Sequence, residues 1–223
     1  ISWFFEQEEY GIILEEDCIP DLSFFEYATF LLKKYSKNEE IFLISSDGRA
    51  TKQFNASDSY YFSRYPTLWG WASWRRSWNI YKSDLKKWTL KDLTYVNEIT
   101  KNGKTKRFWK SNFKQVITKN FDTWDYQLAY TCFKRKMFTI VPSVNLVSNI
   151  GFDNEATHCL DSNSINANLK TSKINRPFNA KTDIYYTKKI DNYYEKYEFY
   201  QYSFFIRLLL YIKRICEKFF VSN

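Results

Sequence analysis

The stretch YGIILEEDCIPDLSFFEY, from Tyr10 to Tyr27, contains the pattern that decides the predicted fold. Its apolar residues 11–14 are too few for a helix, and they predict a short interior strand that is buried in a sheet. Three consecutive acids follow directly at positions 15–17. Pro20 then breaks the chain, and a capping box that begins at Ser23 predicts the start of a helix.

A second apolar segment, EIFLISS at positions 40–46, predicts another buried strand, which ends in the turn sequence SDGR. A strand, an acidic loop, a helix and a strand in succession are typical of α/β proteins, in which ligands bind beyond the carboxyl ends of strands. The later pattern predicts an aromatic loop at 59–78 leading into a short helix, helices within 88–119 interrupted at Asn102 and Gly103, a helix from about Trp124, and extended segments around Pro142.

The bulk composition narrows the class of protein. The chain has 223 residues, of which 44% are hydrophobic and 21% aromatic, and this is enough for one globular core. Its four cysteines form no CxxC pair, which argues against a zinc or disulfide framework and favours a reducing cytoplasm. The net charge of +8 favours anionic partners, but the dispersed basic residues match no nucleic-acid-binding motif. No apolar run is long enough to span a membrane, so we expect a soluble or peripheral protein.

The carboxylates of the acidic triplet Glu15, Glu16 and Asp17 repel one another, so we expect a bound cation to neutralise them. Carboxylate oxygens are the ligands that Mn²⁺ or Mg²⁺ prefers, and such an ion keeps open positions for a phosphate. An ion bound there could neutralise a diphosphate leaving group. The alternative interpretation is a solvated acidic turn, but the buried strand before the triplet and the helix after it favour a site.

Four segments in order carry a resemblance to a known family: GIILEEDCIPDLSFFEY, YPTLWGWASWRRSW, WDYQ and NLVSNIGFDNEATH. Together they resemble bacterial nucleotide-diphospho-sugar transferases, which have the GT-A glycosyltransferase fold and include relatives labelled as haemolytic proteins. The first segment is also similar to the acidic EDD region of eukaryotic N-acetylglucosaminyltransferase I. The resemblance covers roughly residues 1–158 and implies a Rossmann-related mixed sheet flanked by helices. The chain opens on a helix end without a Met, so we expect the first βαβ unit, which binds the nucleoside in that fold, to precede Ile1.

The same resemblance implies roles for four acidic residues. Asp17 would be the direct metal ligand, while Glu15 and Glu16 would contact the donor sugar or ribose, or hold the waters of the metal. Glu16 stands where the family has Asp, so its longer side chain changes the geometry at that position. Asp125, in FDTWDYQ, would accept the proton of the acceptor hydroxyl in an inverting transfer. Without such a base a retaining outcome stays open, and Asp125 would then only cap a helix.

Two further groups of residues are candidates for the site. His158 is the only histidine, and an imidazole there could ligate the metal or hold a phosphate; otherwise it is a hydrogen-bonded surface or core residue. Trp69, Gly70, Trp71 and Arg75 could form an acceptor platform, because aromatic faces stack on sugar rings, glycine permits close approach and arginine binds phosphate. The alternative for the tryptophans is core packing.

The predicted organisation has three parts: a partial catalytic domain at 1–160, a polar linker at 161–181 and an aromatic, basic helical segment at 182–223. In the last part an apolar helical stripe is surrounded by positive charge, which predicts contact with a membrane surface. The alternative is a helix packed on the catalytic domain or in a dimer. The stripe consists of Phe205, Leu208, Leu209, Ile212 and Cys216, and the basic residues are Arg207, Lys213, Arg214 and Lys218.

The sequence therefore predicts a metal-dependent glycosyltransferase of cell-envelope polysaccharide biosynthesis. It would move a hexosyl or N-acetylhexosaminyl group from a nucleotide-diphosphate sugar to a glycan or lipid-linked acceptor, in the cytoplasm or on the inner-membrane surface, without a nucleic-acid partner. One alternative is a non-catalytic membrane-active or carbohydrate-binding protein. That hypothesis does not explain why an acidic triplet follows a buried strand. Another is a nucleotidyltransferase, which normally carries a Gly-rich phosphate loop that this chain does not show.

Overall fold

The structure is a computed structural model that describes residues 1–52, 57–118, 123–151, 168–180 and 187–199. These residues form a five-stranded mixed sheet flanked by helices, together with a two-stranded sheet. The helices are α1 (Ser2–Gln7), α2 (Ser23–Lys34), α3 (Arg75–Leu85), α4 (Val96–Ile99), α5 (Gly103–Ile117), α6 (Trp124–Arg135) and α7 (Lys188–Tyr197). The strands are β1 (Tyr10–Ile13), β2 (Cys18–Pro20), β3 (Ile41–Ser45), β4 (Tyr60–Ser63), β5 (Trp71–Trp74), β6 (Phe138–Pro142) and β7 (Val147–Asn149). Short 3₁₀ helices lie at Arg49–Thr51 and Leu90–Tyr95.

The strand directions bring three loops to one end of the large sheet. The strand order is β1-β5-β3-β6-β4, in which β3 and β6 are parallel and every other pair is antiparallel. Strands β1, β3 and β6 therefore finish at the end of the sheet where β5 and β4 start. We call this the carboxyl end of the sheet; it contains residues 14–17 after β1, 46–48 after β3 and 69–71 at the start of β5.

Helices cover both faces of the large sheet, and successive residues of β5 point to opposite faces. Ala72 belongs to the core cluster that contains Leu31 of α2. Trp71 belongs to a second cluster, which contains Trp109 of α5 and Leu128 of α6. The sheet is thus the middle layer between α2 on one face and α3, α5, α6 and α7 on the other, as expected for an α/β protein.

The predicted α/β class, with a mixed sheet flanked by helices, is confirmed. The helix from Ser23 and the strand at Ile41–Ser45 are present, and all five residues of that strand are buried. The predicted interruption at Asn102 is the N-cap of α5, where the Asn102 side chain accepts hydrogen bonds from the amides of Lys104 and Thr105.

Three local predictions are wrong. In the described residues β1 is an edge strand that pairs only with β5, and it is partly exposed rather than interior. The stretch 59–78, predicted to be a loop before a helix, contains the strands β4 and β5. The predicted capping box at Ser23 is absent from the start of α2. Asp21 satisfies the helix start instead, because its Oδ1 atom accepts a hydrogen bond from the Ser23 amide at 2.9 Å.

Several sequence predictions lie outside the described residues, namely His158, the first part of the linker and the segment beyond residue 199. Residues 168–180 of the linker form no helix or strand, and the described part of the C-terminal segment contains α7. Among the helices of the described chain, none combines the length and the apolar character needed to cross a membrane.

Candidate active site

The acidic triplet forms a tight turn immediately after β1. The amide of Cys18 donates a hydrogen bond to the carbonyl oxygen of Glu15 at 3.1 Å, which closes the turn around Glu16 and Asp17. Glu15 and Asp17 are partly buried, whereas Glu16 is exposed. The turn therefore separates the three acids: two are in contact with the protein and one extends into solvent.

Three potential ligand atoms converge at this turn. One carboxylate oxygen of Glu15, one of Asp17 and the Sγ atom of Cys18 all lie within 4.8 Å of one another. Burial and the neighbouring Asp17 raise the pKa of the Cys18 thiol to about 12, so this thiol is protonated at neutral pH. The carboxylates of Glu15 and Asp17, rather than the thiol, are therefore the candidate metal ligands, and a pair of carboxylates suits Mn²⁺ or Mg²⁺. Cys18 was not predicted to be part of the site, although it directly follows the triplet.

The first turn of α6 brings Asp125 to the same end of the sheet. The rings of Trp124 and Trp71 are in contact with their centroids 5.9 Å apart, which fixes the start of α6 beside the start of β5. Asp125 is exposed in the first helical turn, and its charge acts on Glu15. Glu15 and Asp125, which are far apart in the sequence, are therefore close enough in the fold for their charges to interact.

The pKa of Glu15 is raised by its burial and by the acids around it. Burial, followed by the negative charges of Asp125, Asp17 and Glu16, raises the pKa of Glu15 from its ordinary 4.5 to about 7. A divalent cation would reverse this shift, because it stabilises the ionised form of every carboxylate around it. A strongly perturbed carboxyl group at the ligand-binding end of an α/β sheet is typical of a functional site.

Replacing Glu15 by Gln is expected to stabilise the metal-free chain at pH 8. The pKa of about 7 in the folded state lies above the ordinary 4.5, so the contribution of Glu15 favours folding at low pH and is lost as the pH rises through 7. Because Glu15 is partly exposed, solvent screening reduces the expected gain to about 1 kcal/mol. Urea unfolding in EDTA at pH 5 and pH 8 measures this gain in the free energy of unfolding. The control is Glu40→Gln, an exposed acid just before β3 at the opposite end of the sheet. A Glu15→Gln chain that is less stable than wild type at pH 8 would contradict this electrostatic account.

Two residues of the predicted acceptor platform lie at the carboxyl end of the sheet. The ring of Trp69 is partly exposed, and the Arg49 guanidinium lies 4.1 Å from its centroid. Arg49 is itself buried and paired with Asp47 at 2.7 Å, so the cation under the ring is fixed. Gly70 has a φ of +64°, and a Cβ atom there would lie 2.8 Å from the Oγ atom of Ser46. Both its conformation and its surroundings therefore require glycine.

The other two platform residues are located elsewhere, which corrects the prediction. Trp71 is only 1% exposed and is part of the core, so its ring offers no open face to an acceptor. Arg75 follows β5 at the opposite end of the sheet, where its amide and its Nε atom donate to the carbonyl oxygens of Glu9 and Glu8. The physical reason is that β5 is a strand inside the sheet, so its length carries Arg75 away from Gly70. Because helices cover both faces of the sheet, the Trp71 ring is buried in the core.

Trp71→Ala is therefore expected to act on stability rather than on acceptor binding. Truncating a buried tryptophan removes core contacts and leaves a cavity, which costs about 3–5 kcal/mol of the free energy of unfolding. Urea unfolding measures the loss, and Trp69→Ala, at a partly exposed position, is the matched control with a smaller expected cost. A Trp71→Ala chain as stable as wild type would show that this ring does not support the core.

No protein-family model matches this chain, and a search of curated proteins gives no match either. The resemblance to nucleotide-diphospho-sugar transferases therefore stays a prediction from the sequence motifs. The structure adds that Glu15 and Asp17 lie together at one end of the sheet, where the charge of Asp125 acts on Glu15.

Proposed function

We propose that this chain is the catalytic part of a metal-dependent glycosyltransferase with a GT-A-like fold. It would transfer a sugar from a nucleotide-diphosphate sugar to a glycan or lipid-linked acceptor. The observation that carries the proposal is that two partly buried carboxylates, Glu15 and Asp17, lie together and within range of the charge of the exposed Asp125. They lie at the carboxyl end of a mixed sheet, which is where α/β proteins bind their ligands.

The proposed roles follow from the exposure of each carboxylate. Glu15 and Asp17, beside each other in the turn, would hold Mn²⁺ or Mg²⁺, and such an ion would neutralise charge on a diphosphate. Asp125 is accessible to an acceptor and takes the proton from its hydroxyl group. The acceptor oxygen then bonds to the anomeric carbon, the bond from that carbon to the phosphate oxygen breaks, and the nucleoside diphosphate leaves with the bonding electrons. Attack opposite the leaving group inverts the configuration at that carbon.

The partly exposed ring of Trp69 is the remaining candidate for contact with the acceptor. Its stacking on the buried Arg49 holds the ring in one orientation at the carboxyl end of the sheet. A fixed aromatic face suits a sugar ring. We place the reaction in the cytoplasm, on the inner-membrane surface, where the net charge of +8 favours anionic lipid.

A product assay on the protein expressed from its complete reading frame, with a panel of nucleotide-diphosphate sugars, tests the proposal. We expect release of a nucleoside diphosphate from one donor class in the presence of Mn²⁺, and none after addition of EDTA. A nucleotidyltransferase would release pyrophosphate instead, from a nucleoside triphosphate and a sugar phosphate. Absence of Mn²⁺-dependent release from every donor would contradict the proposed activity and favour a non-catalytic protein.

A further inference from the structure

The second sheet joins the acidic turn to a part of the chain far from it in sequence. Strand β2 pairs with β7 in antiparallel register, with Cys18 opposite Asn149. One more backbone hydrogen bond, from the Ile150 amide to the carbonyl oxygen of Asp17 at 2.9 Å, extends this pairing to the acidic turn. The backbone of Asp17 is therefore fixed from outside the turn as well as within it.

Beyond β7 the chain bends across the side chain of Asp17. The Oδ1 atom of Asn149, which is buried, accepts a hydrogen bond from the Gly151 amide at 2.8 Å and fixes this bend. A Cβ atom added to Gly151 would lie 3.0 Å from both Cβ and Cγ of Asp17, and closer still to its Oδ2 atom. Gly151 does not have a positive φ, so the need for glycine here is one of space.

The two oxygens of the Asp17 carboxylate thus have different neighbours. The Oδ1 atom accepts a hydrogen bond from the Cys18 thiol at 3.5 Å, and the Oδ2 atom packs against Gly151. A group held on both sides has little freedom to turn away from Glu15. Packing of this kind around a ligand sets the direction in which it offers its oxygens.

We propose that Gly151 is a positioning residue for the metal ligand Asp17, and that Asn149 fixes Gly151 in place. The inference rests on the proposed metal-dependent function. A methyl group at position 151 would displace the Asp17 carboxylate and separate it from Glu15, whereas the amino-acid ligands themselves would be unchanged. Residues that orient a ligand in this way typically contribute about 10–100-fold to metal affinity.

Titration of this chain with Mn²⁺, followed by the loss of the EPR signal of the free ion, tests the inference without any substrate. Gly151→Ala is expected to weaken Mn²⁺ binding at least about tenfold, with a cooperative melting curve in EDTA close to that of wild type. Gly103→Ala is the matched control, because a Cβ atom there meets nothing within 4 Å, and it should bind Mn²⁺ as wild type does.

The possible results separate failure of the positioning role of Gly151 from failure of the metal site itself. Wild-type Mn²⁺ affinity in Gly151→Ala would overturn the positioning role while leaving the metal site intact. Absence of Mn²⁺ binding in the wild-type chain would instead contradict the metal site itself, and the inference with it. If Gly151→Ala does not fold, Asn149→Ala, which loosens the bend without adding an atom, should also weaken Mn²⁺ binding about tenfold, and unchanged affinity there would overturn the proposal.

Discussion

Asp125→Asn is expected to lower the rate of sugar transfer at least about 100-fold, which is the smallest typical contribution of a general base. The amide keeps the shape of the side chain but cannot take the proton of the acceptor hydroxyl at neutral pH. Asp125 is exposed in the first turn of α6, so loss of its charge there should cost at most about 1 kcal/mol of stability. Initial rates at saturating Mn²⁺ and donor measure the effect.

The Asp125→Asn variant also distinguishes a catalytic base at this position from a residue that only adds negative charge near Glu15. Asp125 helps to raise the pKa of Glu15, so Asp125→Asn should move that pKa back towards its ordinary value without weakening Mn²⁺ binding. Glu26→Gln removes an acid from the first turn of a different helix, α2, and should leave turnover unchanged. Turnover close to wild type in Asp125→Asn would refute its role as the base.

Asp17→Asn is expected to remove the stimulation of turnover by Mn²⁺ and to lower the rate about a thousandfold. A Lewis acid at a leaving group supplies several kcal/mol of transition-state stabilisation, which corresponds to a factor of this size. The backbone contact of Asp17 is made by its carbonyl oxygen, which accepts from the Ile150 amide, so the variant should keep its fold. Turnover against Mn²⁺ concentration, together with a melting curve, measures both quantities.

Glu39→Gln is a suitable control for this substitution. Glu39 is an exposed acid just before β3, at the opposite end of the sheet from the acidic turn, and its replacement should change neither the rate nor the Mn²⁺ dependence. Full Mn²⁺-stimulated turnover in Asp17→Asn would show that the acidic turn is not the metal site.

The elements that could be predicted from the sequence are those with a strong local signal. Strand β3 is a run of apolar residues that are all buried, and α2 repeats its apolar residues at helical spacing, so neither depends on distant pairing. The start of α5 is marked by Asn102, whose side chain caps the helix. The acidic turn is visible because three carboxylates directly follow an apolar strand.

The remaining features depend on contacts between distant parts of the chain. The segments Tyr60–Ser63 and Trp71–Trp74 are buried on both faces, so they lack the alternation that marks a half-exposed strand, and their aromatic residues resemble a binding loop. No local pattern predicts that Trp71 packs on Trp124 and so brings Asp125 to Glu15. The contact between Gly151 and Asp17 has no local signal either, since only the pairing of β2 with β7 places the two residues together.

The central claim is that the acidic turn holds a divalent cation, and diffraction at the manganese absorption edge tests it most directly. Crystals of this chain soaked in MnCl₂ should give an anomalous peak in direct contact with the carboxylates of Glu15 and Asp17, and crystals of Asp17→Asn should lack it. A wild-type crystal at saturating Mn²⁺ with no peak at this turn, and with the Asp17 carboxylate directed away from Glu15, would contradict the claim.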